Sequence, residues 1–381
     1  MDPEFYLDNA ATTALYPEVL EACRPLLAEA FGNPSSLHPL GMAARRQVKQ
    51  ARQTMARLFG VPPEGVTFTG GGTESCNLAL KGAFATPAQR SQELLVSEIE
   101  HPAVLESATW LARFDVPVRK IPVTAGGTVD LARLEGMLHP GVRMVSVMAV
   151  NNETGVMQPL AEIGRLLRRL APQALFHVDA VQAFTKWPLN FREAGVHLVS
   201  VSGHKVHGPK GTGALIRLRP LTLEPLIHGG GQEGGLRSGT ENPFGIAALA
   251  MAAERSMKLH AAQRDMRAAY HRAWLDELAT HERVRVFRTE AAGPFVITFA
   301  VPPVPGEVTL HHLEQEGLCV STGSACHTGD ATPSHVLLAS GWAPELALSA
   351  VRLSFSVHNT MDGLARVLPA FRRAMARVAA L

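Results

Sequence analysis

Short apolar runs, set off by glycines and polar turns, mark the first two-thirds of the chain. They fall at 66–69, 94–99, 144–150, 174–178, 198–201 and 213–218, and the segments between them carry helical periodicity. Apolar runs of this length read as strands buried on both faces, and their alternation with helices predicts a mostly parallel sheet covered on both sides. After Thr240 the pattern changes. A helix-favouring stretch from Gly245 to Leu278 is rich in Ala, Met and Arg. Strand-like 294–301, 318–322 and 351–356 then mix with helices, the last opened by Thr360 and carrying Leu364, Val367, Leu368, Phe371, Met375 and Val378. That region reads as α+β. At 381 residues the chain exceeds the size at which one core stops growing. The expectation is an α/β protein with a large domain ending near residue 255 and a smaller α+β domain after it.

Polar residues collect where the strand-like runs end. Lys205 lies in Ser202-Gly-His-Lys-Val-His-Gly, directly after a buried run. Apolar walls around such a lysine favour its neutral, nucleophilic amine, which can form a Schiff base. Asp179 ends the run 174–178, His101 follows 94–99, and Asn152 follows 144–150. Gly70-Gly-Gly-Thr73, between the run 66–69 and a helical stretch from Cys76 to Ala83, makes an anion cradle and not a Walker loop. Each of these also has a plainer reading, as a loop lysine, a strand-end cap or a tight turn. In open α/β sheets, however, ligands bind beyond the carboxyl ends of strands, so Thr73, His101, Asn152, Asp179 and Lys205 are expected to converge on one crevice.

A second chemical feature lies downstream, where Leu318-Cys-Val-Ser-Thr-Gly-Ser-Ala-Cys326-His leaves a strand for a polar segment. An accessible thiol in N–H-rich surroundings is the reactive kind, which points to Cys326. Cys319 reads as a small buried hydrophobe in the strand, Cys23 as part of a helix from Glu18 to Ala28, and Cys76 as packing beneath a cofactor. Gly323, Gly329 and the polar residues 328–332 suggest a mobile loop that ends at Pro333.

Several of these stretches occur together as motifs: Tyr6-Leu-Asp-Asn-Ala-Ala-Thr-Thr, Gly32-Asn-Pro-Ser-Ser36, Asn151-Asn-Glu-Thr-Gly, Ser-Gly-His-Lys205, Arg237-Ser-Gly-Thr, Ser-Thr-Gly-Ser-Ala-Cys326 and Val351-Arg-Leu-Ser-Phe-Ser. Through nearly the whole chain they resemble the pyridoxal-phosphate-dependent cysteine desulfurases of the class V aminotransferase group, in the nitrogen-fixation-type and housekeeping branch. The resemblance implies the type I fold of pyridoxal-phosphate transferases, with residues 1–14 joining 256–381 in the small domain. It implies that Lys205 holds the cofactor, Asp179 pairs with its ring nitrogen, and His101 stacks on the ring and moves protons. Gln182 and Asn152 would bond the ring hydroxyl. Gly72, Thr73, Ser202 and His204 would hold the phosphate, with Thr240 reaching across from the partner of a homodimer. Asn33 and Arg352 would grip the carboxylate of L-cysteine. The activity implied is conversion of cysteine to alanine with a persulfide on Cys326, passed to a sulfur acceptor such as an iron–sulfur scaffold protein, for cluster assembly or for tRNA or cofactor thiolation. Selenocysteine lyase, another class V aminotransferase, and a catalytically quiet sulfur-relay or scaffold partner are the alternatives. Three departures stand out: His327 in place of a threonine, Gly234 in place of an arginine, and an end at Leu381 without the usual C-terminal extension.

Composition adds limits. A formal net charge of +2 and a pI near 8.4 are too mild to imply nucleic-acid binding. Arg165, Arg168 and Arg169 read as the solvated face of an amphipathic helix. Four cysteines without paired spacing fit a reducing cytoplasm, and sixteen histidines contain no metal-binding His-Glu-x-x-His. No apolar run approaches a membrane span. Met1-Asp-Pro-Glu-Phe lacks a signal peptide's apolar centre and could be a cloning scar.

Overall fold

Seven strands make the main sheet of the computed structural model, which describes residues 2–322 and 332–381. They are β1 (Val66–Thr69), β2 (Glu93–Ser97), β3 (Val118–Ile121), β4 (Val142–Ser146), β5 (Leu175–Asp179), β6 (Leu198–Ser202) and β7 (Gly213–Arg217), in the order β1-β7-β6-β5-β4-β2-β3. The pairings among β3, β2, β4, β5 and β6 are parallel, whereas β7 is antiparallel to both β6 and β1. Because β7 alone is reversed, β1 points the same way as the other five.

The apolar side chains explain why helices cover both faces. Successive residues of a strand face opposite sides. Leu95, Val145, Phe176, Val199 and Ile216 enter one core, shared with the helices Pro39–Phe59, Leu160–Leu170 and Pro243–Ala262. Their neighbours Leu94, Val96, Met144, Leu198 and Leu215 enter a second core with the helices Gly72–Ala83 and Pro102–Ala112.

A smaller antiparallel sheet follows: β8 (Arg285–Val286), β9 (Val296–Ala300), β10 (Ser321–Thr322) and β11 (Ala350–Ser354), in the order β10-β11-β9-β8. Its core is aromatic. Trp274, fully buried, stacks on Phe355 with ring centroids 6.2 Å apart and meets Phe371 edge-on at 5.1 Å. Thr360 caps the last helix, Met361–Ala379, by accepting from Gly363 N at 3.1 Å. Leu7 belongs to this core, and Tyr6 and Asp8 form bridges to Cys319 and Ser354.

Several elements differ from the sequence reading. β3 was not foreseen because Arg119 and Lys120 are exposed on this edge strand and interrupt its apolar pattern. The stretch Gly245–Leu278 is two helices, Pro243–Ala262 and Arg264–Ala279, broken at Gln263. The expected helix 18–28 breaks at Arg24, where Pro25 supplies no N–H. The helix expected from Cys76 begins at Gly72, so the glycine turn runs straight into its first turn. Among the described residues no helix is long and apolar enough to cross a membrane.

One buried polar chain crosses the main sheet. His177, with no exposed surface, meets Ser146 Oγ at Nδ1 (2.8 Å) and Ser200 Oγ at Nε2 (2.9 Å). Burial pushes its imidazole down to about 3. The unfolded chain therefore takes up a proton near the ordinary value of 6.5 that the folded chain refuses until about 3, and stability falls as pH drops through that interval. The stability gap between wild type and His177→Gln, measured by urea unfolding, is expected to narrow by about 2 kcal/mol between pH 7 and pH 5. A gap independent of pH would show that His177 is not the neutral imidazole described.

Candidate active site at the carboxyl ends of the central strands

β1, β2, β4, β5 and β6 present their carboxyl ends on one edge of the sheet, and a glycine at the start of β7 lets the chain close over it. Gly213 pairs with Thr69 on one side and Ser202 on the other. A Cβ there would stand 2.6 Å from Gly71 C and 2.6 Å from Val201 O, so only glycine lets the turn after β1 pass across β7. The same turn brings Gly72 against Ser202: a Cβ on Gly72 would lie 3.4 Å from Ser202 Cβ and 2.6 Å from Val181 Cγ2. Gly72 and Thr73 thus open a helix beside the Ser202 side chain, an arrangement of N–H groups and hydroxyls suited to a phosphate. Glu74 braces it, accepting from Gly70 N at 2.8 Å and from Arg237 Nε at 3.0 Å.

Asp179 lies at the buried end of β5. Its Oδ1 accepts from Val181 N at 2.9 Å, while Oδ2 has the thiol of Cys76 at 3.6 Å. A thiol is a weak donor, and no ion pair reaches Asp179 among the described residues. Burial pushes its carboxyl up, opposed by the Val181 N–H and by His101 and Lys205. A buried carboxylate in this state has room for a cationic N–H donor from a ligand. Beneath it, Cys76 has no exposed surface, and burial and then Asp179 push its thiol well up. That agrees with a packing role.

His101 caps the helix Pro102–Ala112, its Nδ1 accepting from Ala103 N at 3.1 Å. The ring proton therefore sits on Nε2. Burial first, and Lys205 as well, push His101 down, with Asp179 opposing. Lys205 ends a short 3₁₀ turn after β6 and donates to the carbonyls of Ala10 and Ala11, the latter at 2.8 Å. Gln182 donates to the same Ala10 carbonyl at 2.8 Å. His204 Nδ1 lies 3.1 Å from Thr12 Oγ1, and burial and Lys205 push its imidazole down to about 4. The segment 10–13 is thus a strap tying the Lys205 turn in place.

Arg352, on β11 and 5% exposed, donates from Nη1 to Asn152 O at 3.1 Å and pairs through Nη2 with Asp8 Oδ1 at 2.8 Å. Among the described residues its Nε has no partner. Asn33 and Thr240 are exposed in the single chain. Asn33 Oδ1 accepts from Ser35 N, and among the described residues no hydrogen bond joins Asn33 to Arg352. Cys326 and His327 lie outside the described residues, as does most of the expected mobile loop.

Sequence reasoning did not single out Asp8, Glu100 or Lys186. Asp8 stands in the Tyr-Leu-Asp-Asn motif, but its pairing with Arg352 spans 344 residues. Glu100 is fully buried beside His101 in sequence, accepts from Met148 N and has no partner at Oε2. Burial and the Asp179 charge push it well up. Lys186 donates to Gln182 Oε1 at 3.4 Å.

The chain matches the family model described as aminotransferase class-V over residues 5–367. It is similar to a cysteine desulfurase of Cereibacter sphaeroides, 40% identical over 96% of this chain and 94% of that one, and to cysteine desulfurase IscS of Dictyoglomus turgidum, 37% identical over 98% and 95%. A solved NifS-like protein superposes with a TM-score of 0.91 at 33% identity, covering 97% of this chain and 99% of the other. Likeness this extensive in both sequence and fold places the chain in the class V aminotransferase family.

Proposed function

We infer that this enzyme is a cysteine desulfurase that uses pyridoxal phosphate. The observation that carries the reading is the end of β5, where Asp179 is buried with only a backbone N–H and a thiol as donors. A protonated pyridine nitrogen is the donor that this carboxylate suits. The surroundings fit the rest of the cofactor as well: Lys205 to anchor it, His101 at its face, Gln182 and Asn152 toward its ring oxygen, and Gly72, Thr73, Ser202 and His204 around its phosphate. Thr240 would add a contact from a second subunit. When bound, pyridoxal phosphate supplies an electron sink for bonds at the substrate α-carbon.

The chain's own residues then divide the work. Arg352, braced by Asp8, keeps an unpartnered Nε–H for the substrate carboxylate, with Asn33 as the second contact. The Lys205 amine moves a proton at the α-carbon, and the Nε2–H of His101 serves as acid or base at the substrate thiol. The nucleophile is Cys326. Among the described thiols, Cys23 and Cys76 are buried and pushed up by burial, and Cys319 is pushed up by burial, Glu314 and Asp8. The Cys326 thiolate attacks the substrate sulfur, the sulfur–carbon bond breaks, and the electron pair left on carbon takes up a proton. The products are alanine and an enzyme persulfide, whose sulfur passes to an acceptor such as an iron–sulfur scaffold protein in the cytoplasm.

We place the large domain at 15–255 and the small one at 1–14 with 256–381, which the packing of Leu7 against the Trp274 core supports. A homodimer belongs to the same reading. Leu27, Phe31, Leu37 and Met42 are 59%, 71%, 83% and 49% exposed in one segment around Asn33, an apolar patch that a second copy would cover.

The direct test is stoichiometric: with L-cysteine and a thiol reductant, the purified holoenzyme should release sulfide and alanine in equal amounts. Lys205→Ala should lose the borohydride-reducible visible band and turn over ~10²-fold or more slowly; a variant that keeps both would remove Lys205 from its role. Cys326→Ser should keep the visible band yet accumulate no protein persulfide by mass spectrometry, and a wild-type persulfide on Cys76 or Cys319 would assign the thiol elsewhere. Light scattering should give twice the chain mass, and a fully active monomer would exclude a shared site.

A further inference from the structure

A cleft of about 770 Å³ lies between the segment 183–192, the carboxyl end of the helix Pro39–Phe59, and the helix Pro243–Ala262. None of the candidate active-site residues lines it. Phe59, Phe184, Trp187, Phe191, Met257 and Phe295 supply its apolar walls. Its polar lining is one-sided: Lys186, Arg192, His260, Arg264 and Arg267 are present, and no carboxylate among the described residues lines it.

Three of these basic groups gather around a single ring. Lys186 Nζ lies 5.9 Å from the centre of Phe295, Arg267 Cζ 5.8 Å, and the His260 ring 5.1 Å in an edge-on arrangement. Arg267 is only 2% exposed, and its Nε has no partner among the described residues. Thr185, 6% exposed and held at a φ of +69°, also leaves its hydroxyl unpartnered. Of the acids, Glu4 acts on Arg267, but its carboxylate is taken by the Thr360 N–H and hydroxyl. Burial and the neighbouring cations Lys205, Arg267 and Arg352 push Lys186 down to about 7, and burial with Lys186 and Arg267 pushes His260 well down. Buried cations without a counter-ion are costly, and a cleft of this size with aromatic walls and a few convergent polar groups is the ordinary form of a small-ligand site.

We propose that this cleft binds a small amphipathic organic anion, its apolar body against the aromatic walls and its carboxylate between Lys186, Arg267 and Thr185. A carboxylate there supplies the acceptor that the Arg267 Nε–H and the Thr185 hydroxyl lack, and it neutralises the cluster around Phe295. The site is linked to the active centre through a chain of hydrogen bonds. Lys186 is held by Gln182, whose amide is tied to the same Ala10 carbonyl as Lys205, so an anion drawing on Lys186 acts on a residue one contact away from the anchoring lysine.

The test uses the holoenzyme with octanoate as the probe and 1-octanol as its neutral counterpart, read by calorimetry and by quenching of tryptophan fluorescence. Octanoate should bind saturably and at least tenfold more tightly than octanol. Arg264→Glu places a carboxylate at the exposed edge of the lining and Lys186→Met removes a cation; with folding checked by circular dichroism, each should weaken octanoate binding at least tenfold. Trp187→Phe should abolish most of the quenching while leaving the heat of binding. Equal affinity for octanol, no saturable binding of octanoate at millimolar concentration, or octanoate binding unmoved by either charge substitution would overturn the proposal.

Discussion

A carboxylate at the buried end of β5 sets the terms for everything around it. Taking Asp179 out of water costs several kcal/mol, and its own neighbours, one backbone N–H and one thiol, offset only part of that. Its surroundings limit the damage in two ways. Glu100, the other carboxyl buried nearby, is pushed well up by burial and by Asp179, which disfavours a second negative charge in the same space. Lys205 brings positive potential without an ion pair that would occupy the carboxylate. The acid is thereby left open to a further donor, as its proposed role requires.

Positive charge is concentrated on this side of the molecule well beyond what Asp179 requires. Lys205, Lys186, Arg267 and Arg352 influence one another and the histidines among them, and His204 and His260 are pushed down partly for that reason. Neutral imidazoles among fixed cations can donate hydrogen bonds without adding further charge. The same potential suits a phosphate in the glycine cradle and a carboxylate at Arg352. It also favours an anion in the cleft beside Phe295.

The residues that leave strand ends were legible because a β–loop transition shows itself locally: an apolar run stops, and the next polar residue stands at the sheet edge. Asp179, His101 and Lys205 were all found this way, and the structure brings them to one edge. What stayed hidden was set by distance or by exposure. The Asp8–Arg352 pair joins residues 344 apart, and no local pattern encodes it. Strand β3 carries charged residues because it is an edge, so it lacks the apolar signature of a strand. The break at Gln263 falls between two helices whose sequences both favour helix, and the fold decides it where propensity does not. Cys326, read from its setting as a glycine-flanked thiol beyond a strand, lies outside the described residues.

The strap formed by residues 6–13 has a consequence for how the protein is made. Asn9 bonds to the Ser354 carbonyl, 345 residues away, while Ala10 and Ala11 hold Lys205 and Gln182. During synthesis this segment therefore has to wait for partners made more than 300 residues later. Until β11 emerges, the strap has no sheet to lie against, and the lysine turn lacks the carbonyls that fix its amine. The nascent chain can build its parallel sheet early, but a half-made protein carries Lys205 without the setting on which its proposed role depends.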